Sequence, residues 1–250
     1  MMSDGVVFGS ATGSYILDAI PDDWQLFGPN TGYETNKTSP GDGWLGAGQI
    51  GYRWGQWDVA IDGQYVKLSE GDLSATGGLN NKLKARNWLA GIEIGFNDHI
   101  DSMAVRTSLG LRYAEWKSTA EALFSSNQIE HKWKGFGPRF TVAGSLPLDG
   151  ALTLEGQAGI GALFGKLETN STPGWICSAC GDKHQASINV DGKLGLGWMF
   201  GSQAKLVVGY QAQYWSAVNV AVTDDSGVGL VTGKSDYLIH GPFVTVAFTF

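Results

Sequence analysis

The last eight residues of this chain, Phe243–Phe250, alternate between large apolar side chains and small or polar ones. Phe250, Phe248 and Val246 fall on one face of an extended strand, because successive side chains of a strand point to opposite sides. Thr249 and Ala247 fall on the other face. Such a strand, closed by an aromatic residue, is typical of a membrane β-barrel, where one face meets lipid and the other a polar lumen. An edge strand of a soluble sandwich could alternate in the same way, so the rest of the chain has to decide.

The same alternation recurs in paired segments joined by short and long connections in turn. Short turns are predicted at Gly55-Gln56, at 97–102, at Asp149-Gly150 and at 201–203. Asp-Gly between two alternating runs is a strong hairpin signal. Besides the C-terminal segment, the predicted strands are Trp44–Trp54, Trp57–Lys67, Arg86–Phe96, Ala104–Lys117, Glu130–Leu148, Ala151–Leu167, Ala186–Phe200 and Ala204–Val218.

A tenth strand is predicted from the parity of the barrel. Nine segments alternate clearly, whereas single-chain bacterial barrels have an even number of strands. Val6–Leu17 is the remaining candidate, and it would pair with the C-terminal strand. Both termini then lie at the short-turn end and five long connections at the other. The sequence therefore predicts one all-β domain over residues 1–250, a transmembrane antiparallel up-and-down β-barrel of about ten strands.

Composition agrees with a barrel and argues against other classes. No stretch approaches the ~18 apolar residues of a membrane helix, and Gly makes up 37 of 250 residues, twice the usual share of about 7%. The net charge of −7 and the lack of a Lys/Arg cluster favour no nucleic-acid partner. Residues 1–5 have no apolar core of a signal peptide. We expect a mature chain of the bacterial outer membrane whose signal peptide has been removed.

Ten tryptophans are an unusual number for a chain of this length. Trp is part apolar and part polar, and in membrane proteins it collects at the two membrane–water interfaces. We therefore predict two aromatic belts. The short-turn belt would contain Trp54, Trp57 and Trp198, and the long-loop belt Trp44, Trp88, Trp116, Trp133 and Trp215.

Charged residues fall on the predicted inward face of the strands. An inward position avoids the ~2–4 kcal/mol that an Arg or Lys costs against lipid at the membrane midplane. These residues form either a polar conduit for small solutes or a lumen closed by its own ion pairs, and ten strands leave little room. We expect Arg106, Arg112 and Arg139 to pair with inward acids such as Glu93, Glu155 and Asp191. The ten residues are Arg53, Asp58, Asp62, Glu93, Arg106, Arg112, Arg139, Glu155, Asp191 and Lys193.

The two cysteines, Cys177 and Cys180, lie in one long connection. A metal site here would lack its other two ligands, and a thioredoxin-like redox motif would lack its βαβ setting. We therefore predict a disulfide between them in an outer loop. We expect no metal and no cofactor.

The histidines test whether the barrel is an enzyme, such as an omptin-like protease or a lipid A deacylase. That chemistry needs a His with a carboxylate or a Ser at the outer rim. His99 lies in a short turn, on the wrong side. His131, His184 and His240 lie toward the outer rim, but none has a partner at motif spacing. We expect no enzymatic activity.

Several segments in the second half of the chain are similar to a known family. They are Ser108–Ala114, Trp133–Phe140, Leu154–Gly159, Leu163–Lys166, Gly209–Trp215 and Leu238–Pro242. Together they resemble the pore-forming major outer-membrane protein family typified by Legionella. The resemblance covers roughly residues 108–250. It implies an outer-membrane barrel with a porin-like function, and it carries over no catalytic residue.

The expected function is that of a porin-like, pore-forming barrel for small solutes, with a narrow lumen lined by paired charges. The alternative is a non-conducting structural or surface-binding barrel that acts through its outer loops. The expected partners are outer-membrane lipid and lipopolysaccharide, and, in the alternative, a surface partner bound through those loops. We also expect the barrel-assembly machinery to recognise Phe250, because a terminal aromatic residue is part of the assembly signal of outer-membrane barrels.

Overall fold

The computed structural model describes residues 5–21, 41–74, 80–122, 128–171, 181–201, 203–224 and 230–250. The regular elements in these ranges are β-strands. No helix in the described ranges is long and apolar enough to cross a membrane. The strands are β1 (Val6–Ile16), β2 (Asp18–Pro21), β3 (Gly43–Trp54), β4 (Trp57–Ser74), β5 (Asn80–Ile100), β6 (Met103–Ala122), β7 (Gln128–Pro147), β8 (Leu152–Ser171), β9 (Gly181–Phe200), β10 (Ala204–Asp224) and β11 (Leu230–Thr249).

The strands form one antiparallel sheet that closes on itself, because β1 pairs with β3 on one side and with β11 on the other. Both β1 and β2 pair with β11, one after the other, and Leu17 separates them. The eleven segments therefore occupy ten positions around the barrel. The predicted ten-stranded barrel is confirmed, with Val6–Ile16 as its first strand.

The start of β1 and the end of β11 lie at the end of the barrel that carries the short turns. Val7 and Phe250 exchange backbone hydrogen bonds of 3.2 and 2.8 Å. Each of the four short turns contains a residue with positive φ, which a tight reversal requires. The turn after β5 is shorter than predicted, because the strands run to Ile100 and resume at Met103. The positive φ values are 60° at Gly55, 54° at Asp101, 58° at Gly150 and 67° at Gly201.

At the opposite end, the strands are longer than the sequence predicts. β4 continues to Ser74, and β9 begins at Gly181, within stretches predicted as loops. A strand of 20 residues, such as β6, is roughly 66 Å long at ~3.3 Å per residue, whereas crossing the membrane takes about 9–11 residues. The sheet therefore continues beyond the lipid. Outside the lipid the outward face needs no apolar residues, so the alternation that reveals strands is lost there.

Cys177 and Cys180 lie outside the described residues, and their disulfide stays a prediction.

The outer wall carries a lipid-facing band that stops abruptly on the side away from the short turns. On β4 the outward apolar run spans nine residues, Trp57 to Tyr65, and Lys67 is the next outward residue. We call the end of the barrel opposite the short turns the loop end. On β5 the apolar run ends at Trp88, and Arg86 follows toward the loop end. Nine residues match the length that crosses a membrane. We call these apolar runs the lipid-facing band.

The predicted aromatic belts are correct for some tryptophans and wrong for others. The side chains exposed on the outer wall are those of Trp44, Trp54, Trp57, Trp88 and Trp198. Trp116, Trp133 and Trp215 are instead buried inside the barrel. The prediction placed them by their distance along the strand and ignored their face. Trp116 has the same parity as the inward Arg112, and this signal would have placed it correctly.

Candidate functional site: the barrel interior

The inward side chains form two layers along the barrel axis. On β6 they run from Arg106 and Arg112 to Trp116 as the strand approaches the loop end, and on β8 from Glu155 to Leu163. We call the polar half the charged layer; its ionisable members are Arg53, Asp58, Asp62, Glu93, Arg106, Arg112, Arg139, Glu155, Asp191, Lys193 and Lys205. We call the other half the aromatic layer, formed by Trp116, Trp133, Trp215 and Tyr237 with the aliphatic side chains around them.

Arg106 on β6 binds two carboxylates on the two preceding strands. Its Nη2 donates to Oδ1 of Asp58 at 2.6 Å, and its Nη1 lies 2.7 Å from Oε1 of Glu93. Glu93 also accepts hydrogen bonds from Gln49 at 2.9 Å and from Ser108 at 3.0 Å. A buried charge is tolerated when it is paired and hydrogen-bonded, and both carboxylates meet this condition.

A second cluster joins strands that are not neighbours. Arg139 on β7 donates from Nη2 to both oxygens of Asp191 on β9, at 2.7 and 2.6 Å. Arg112 on β6 lies 3.5 Å from Asp191 and 3.5 Å from Asp62 on β4. It also donates to Oδ1 of Asn189 at 2.9 Å. Arg112 therefore links β4 to β9 across the lumen.

Glu155 has a partner that the sequence analysis missed. Lys205 Nζ lies 2.7 Å from Oε1 of Glu155, which also accepts from Ser145 at 2.7 Å and from Thr153 at 2.6 Å. Lys205 is the second residue of β10, at the very edge of the alternating run. Its odd number gives it the parity of the inward Gln211, and that signal would have identified it.

The remaining two predicted charges lie against aromatic rings inside the barrel. The guanidinium of Arg53 is 5.4 Å from the ring centre of Phe8, and Lys193 Nζ is 5.8 Å from that of Phe243. Both distances fit a cation–π contact. All ten predicted charges thus point inward. Seven of them line a polar cavity of about 170 Å³; Arg53, Asp58 and Glu155 do not.

The aromatic layer spans the barrel interior toward the loop end. Trp116 on β6 stacks on Tyr237 of β11, with ring centres 5.0 Å apart and planes 6° apart. These two strands are five positions apart in a ten-position barrel, so they face each other directly. Trp116 also meets Trp215 edge-on at 5.9 Å. Trp116 is 2% exposed and Tyr237 1%, so side chains from opposite walls meet with no solvent between them.

Two of the four histidines lie within hydrogen-bonding distance of a hydroxyl group, and the other two are exposed. His131 is buried, and its Nδ1 lies 3.1 Å from the Thr169 hydroxyl. Nδ1 of His240 lies 2.5 Å from the Tyr210 hydroxyl. His99 and His184 are exposed. Among the described residues, no group of His, Cys, Asp and Glu has the arrangement of a metal site.

Comparison with known proteins identifies the family. The family described as Legionella pneumophila major outer membrane protein precursor matches residues 27–250. This chain belongs to that family. The match begins well before Ser108, where the resemblance in the sequence began, so the first hairpins belong to it as well. The protein is therefore located in the bacterial outer membrane.

Solved structures similar to this chain include an outer membrane protease. The outer membrane protease OmpT from Escherichia coli is 11% identical, with 99% of this chain and 97% of that chain covered and a TM-score of 0.60. The translocator domain of the autotransporter NalP from Neisseria meningitidis is 12% identical, with 99% and 89% covered and a TM-score of 0.49. At these identities the likeness to OmpT concerns the fold alone, and the NalP score is too low to support an argument. No curated protein matches this sequence.

Proposed function

We propose that this protein is a non-conducting outer-membrane barrel whose lumen is closed, and that it acts through its loop end as a structural or surface-binding protein. The observation that carries the proposal is the stack of Trp116 on Tyr237 across the full width of the barrel. A pore for solutes needs a continuous polar path. The aromatic layer interrupts that path with buried apolar side chains.

The charged layer supports the same proposal from the other half of the lumen. Arg106, Arg112 and Arg139 hold carboxylates on β4, β5 and β9, so the ion pairs tie separate strands together. Gln64 and Gln213 add a reciprocal pair of hydrogen bonds of 2.9 and 2.8 Å between β4 and β10. Such cross-lumen bonds stabilise a filled interior.

A narrow, gated pore is the second candidate. It is favoured by the polar cavity of about 170 Å³ among groups of both charge signs. In this alternative, displacement of the aromatic layer would connect the cavity with the loop end, and ions would pass between the paired charges. The porin-like function that the sequence suggested would then belong to the open state.

The proposal also holds that the barrel is not an enzyme. It is supported by the burial of His131, which keeps its ring away from any substrate, and by the hydrogen bond between His240 and the Tyr210 hydroxyl. Within the described residues neither histidine is paired with a carboxylate, the group that orients the histidine base of many hydrolases. Incubating the refolded protein with peptide and lipopolysaccharide substrates should release no product above that of a heat-unfolded sample.

Liposome swelling tests the closed lumen directly. Proteoliposomes with the refolded wild-type chain should swell in isotonic solutions of small sugars and amino acids no faster than protein-free liposomes. A general porin in the same lipid is the positive control. Swelling that slows as the solute becomes larger would instead identify an open pore and overturn the proposal.

A further inference from the structure

Four cations stand in register on the outer wall of neighbouring strands. Lys67 on β4 is paired with Arg86 on β5, Arg86 with Lys117 on β6, and Lys117 with Lys132 on β7. Like charges directly opposite each other destabilise a sheet. The row is notable in a protein with a net charge of −7, and it calls for an anion.

The protein supplies carboxylates to only part of this row. Lys117 forms an ion pair with Glu130, and Lys132 lies 3.1 Å from Glu115. For Lys67 and Arg86, at the other end of the row, no ion pair is present within the described residues.

A groove of about 640 Å³ lies at this end of the row. The side chains that define the groove are Tyr65, Lys67, Ser69, Lys84, Arg86 and Lys117. Ser69 donates to the carboxylate of Asp42, which also accepts from the Tyr15 hydroxyl. We call this surface the cationic groove.

The position of the groove along the barrel axis, just beyond the lipid-facing band, indicates its ligand. Lys67 is the first outward residue after Tyr65, where the lipid-facing band of β4 ends, and Arg86 is the first after Trp88 on β5. Tyr and Trp lie at the level of lipid headgroups. The loop end faces outward in barrels of this kind, so the groove faces the headgroups of the outer leaflet.

We propose that the cationic groove binds a phosphorylated headgroup of an outer-leaflet lipid, a lipopolysaccharide, with the phosphate held by Lys67 and Arg86. Arg presents a planar fork of donors that fits phosphate oxygens, and Lys adds a point charge. Tyr65 would contact the apolar part of the lipid just below. The inference rests on the outer-membrane location and not on whether the lumen is closed.

A second groove on the same wall provides an internal control. It measures about 560 Å³ and is lined by Lys134, Lys166 and His184 above Phe136 and Phe164. Its lysines already have acidic partners: Lys166 lies 2.6 Å from Asp182, and Lys134 lies 3.9 Å from Glu168. This second groove has a similar size and height but less uncompensated charge.

The test is a titration of the full chain in detergent micelles with fluorescently labelled lipopolysaccharide, read as fluorescence anisotropy. Replacing both cations (Lys67→Gln with Arg86→Gln) should weaken binding by about tenfold or more, since a hydrogen bond to a charged group contributes ~1.5–3 kcal/mol. The matched control, Lys134→Gln with Lys166→Gln, should weaken it less than about threefold. The single variant Arg86→Gln should fall between wild type and the double variant.

Three outcomes would overturn the proposal. Equal losses in the two double variants would mean general attraction between charges, and no loss in either would mean that no site exists here. Inorganic phosphate that displaces the lipid at equal concentration would indicate a site for free anions. Heat-shifted gel mobility confirms that each variant is folded, and removing two like charges should leave the barrel at least as stable in lipid-free detergent.

Discussion

The charged layer and the aromatic layer fill the same barrel by different physical means. In the charged layer, each group depends on particular partners, as Asp191 does on Arg112 and Arg139, because an unpaired buried charge is costly. In the aromatic layer, Trp116, Trp215 and Tyr237 fill volume and exclude water. The charged layer ties strands together through specific ion pairs, and the aromatic layer packs apolar side chains from opposite walls against each other.

This difference predicts that the two layers respond differently to substitution. A conservative change that preserves shape should harm the charged layer and spare the aromatic one. A truncation that removes volume should do most harm in the aromatic layer. The following predictions run from the largest expected effect to the smallest.

Trp116→Ala should lower the free energy of unfolding by about 4 kcal/mol, because it leaves a cavity in the aromatic layer. Urea unfolding in lipid vesicles, followed by circular dichroism, measures the loss. The matched control is Trp88→Ala, which removes the same side chain from the outer wall, where Trp88 is 40% exposed. If the two losses are equal, the aromatic layer is not tightly packed.

Asp191→Asn should cost about 3 kcal/mol, although it preserves the shape of the side chain, because it leaves Arg139 and Arg112 buried without their shared carboxylate. The same urea titration applies. Tyr237→Phe is the shape-preserving comparison in the aromatic layer and should cost less than about half as much. A larger loss for Tyr237→Phe would reverse the contrast between the layers.

Glu155→Gln should cost about 1 kcal/mol. Glu155 and Lys205 are only partly buried, with side-chain exposures of 18% and 23%, so water compensates for part of the lost ion pair. The amide oxygen of Gln still accepts the hydrogen bonds from Ser145 and Thr153. A loss as large as that of Asp191→Asn would mean that the short-turn end of the charged layer is as dry as its middle.

Phe250 lies outside both layers, and its deletion should have the smallest effect on stability, below about 1 kcal/mol. Its side chain is 74% exposed and stacks on Phe248, with ring centres 6.2 Å apart. In cells, the deletion should reduce outer-membrane assembly far more than it reduces refolding in detergent. Phe250→Trp keeps an aromatic end and should assemble normally. Equal losses in cells and in detergent would make Phe250 merely structural.

Much of the fold could be predicted from the sequence because the strand period of two is a local property. It placed Arg112 inside without any knowledge of its partners. The parity argument likewise identified β1 from the even strand number of such barrels. Where the strands leave the lipid, as in β4 beyond Lys67, the outward face is no longer apolar, and the same rule predicted loops.

The contacts across the lumen could not be predicted in the same way. Arg112 and Asp191 lie on strands three positions apart, and only the tilt and stagger of the barrel bring them together. Trp116 was misplaced because its position along the strand suited a membrane interface, although its parity pointed inward. The face of the strand on which a residue lies follows from the sequence alone. Its contacts across the lumen depend on how the barrel closes.

Recording ion currents across a planar lipid bilayer tests the closed lumen most directly. With the refolded wild-type chain inserted, we predict no stable conductance steps above the current of the bare bilayer, because the stack of Trp116 on Tyr237 blocks the path. Insertion is verified by protease protection of the reconstituted protein. Stable, uniform conductance steps from the wild-type chain would contradict the account.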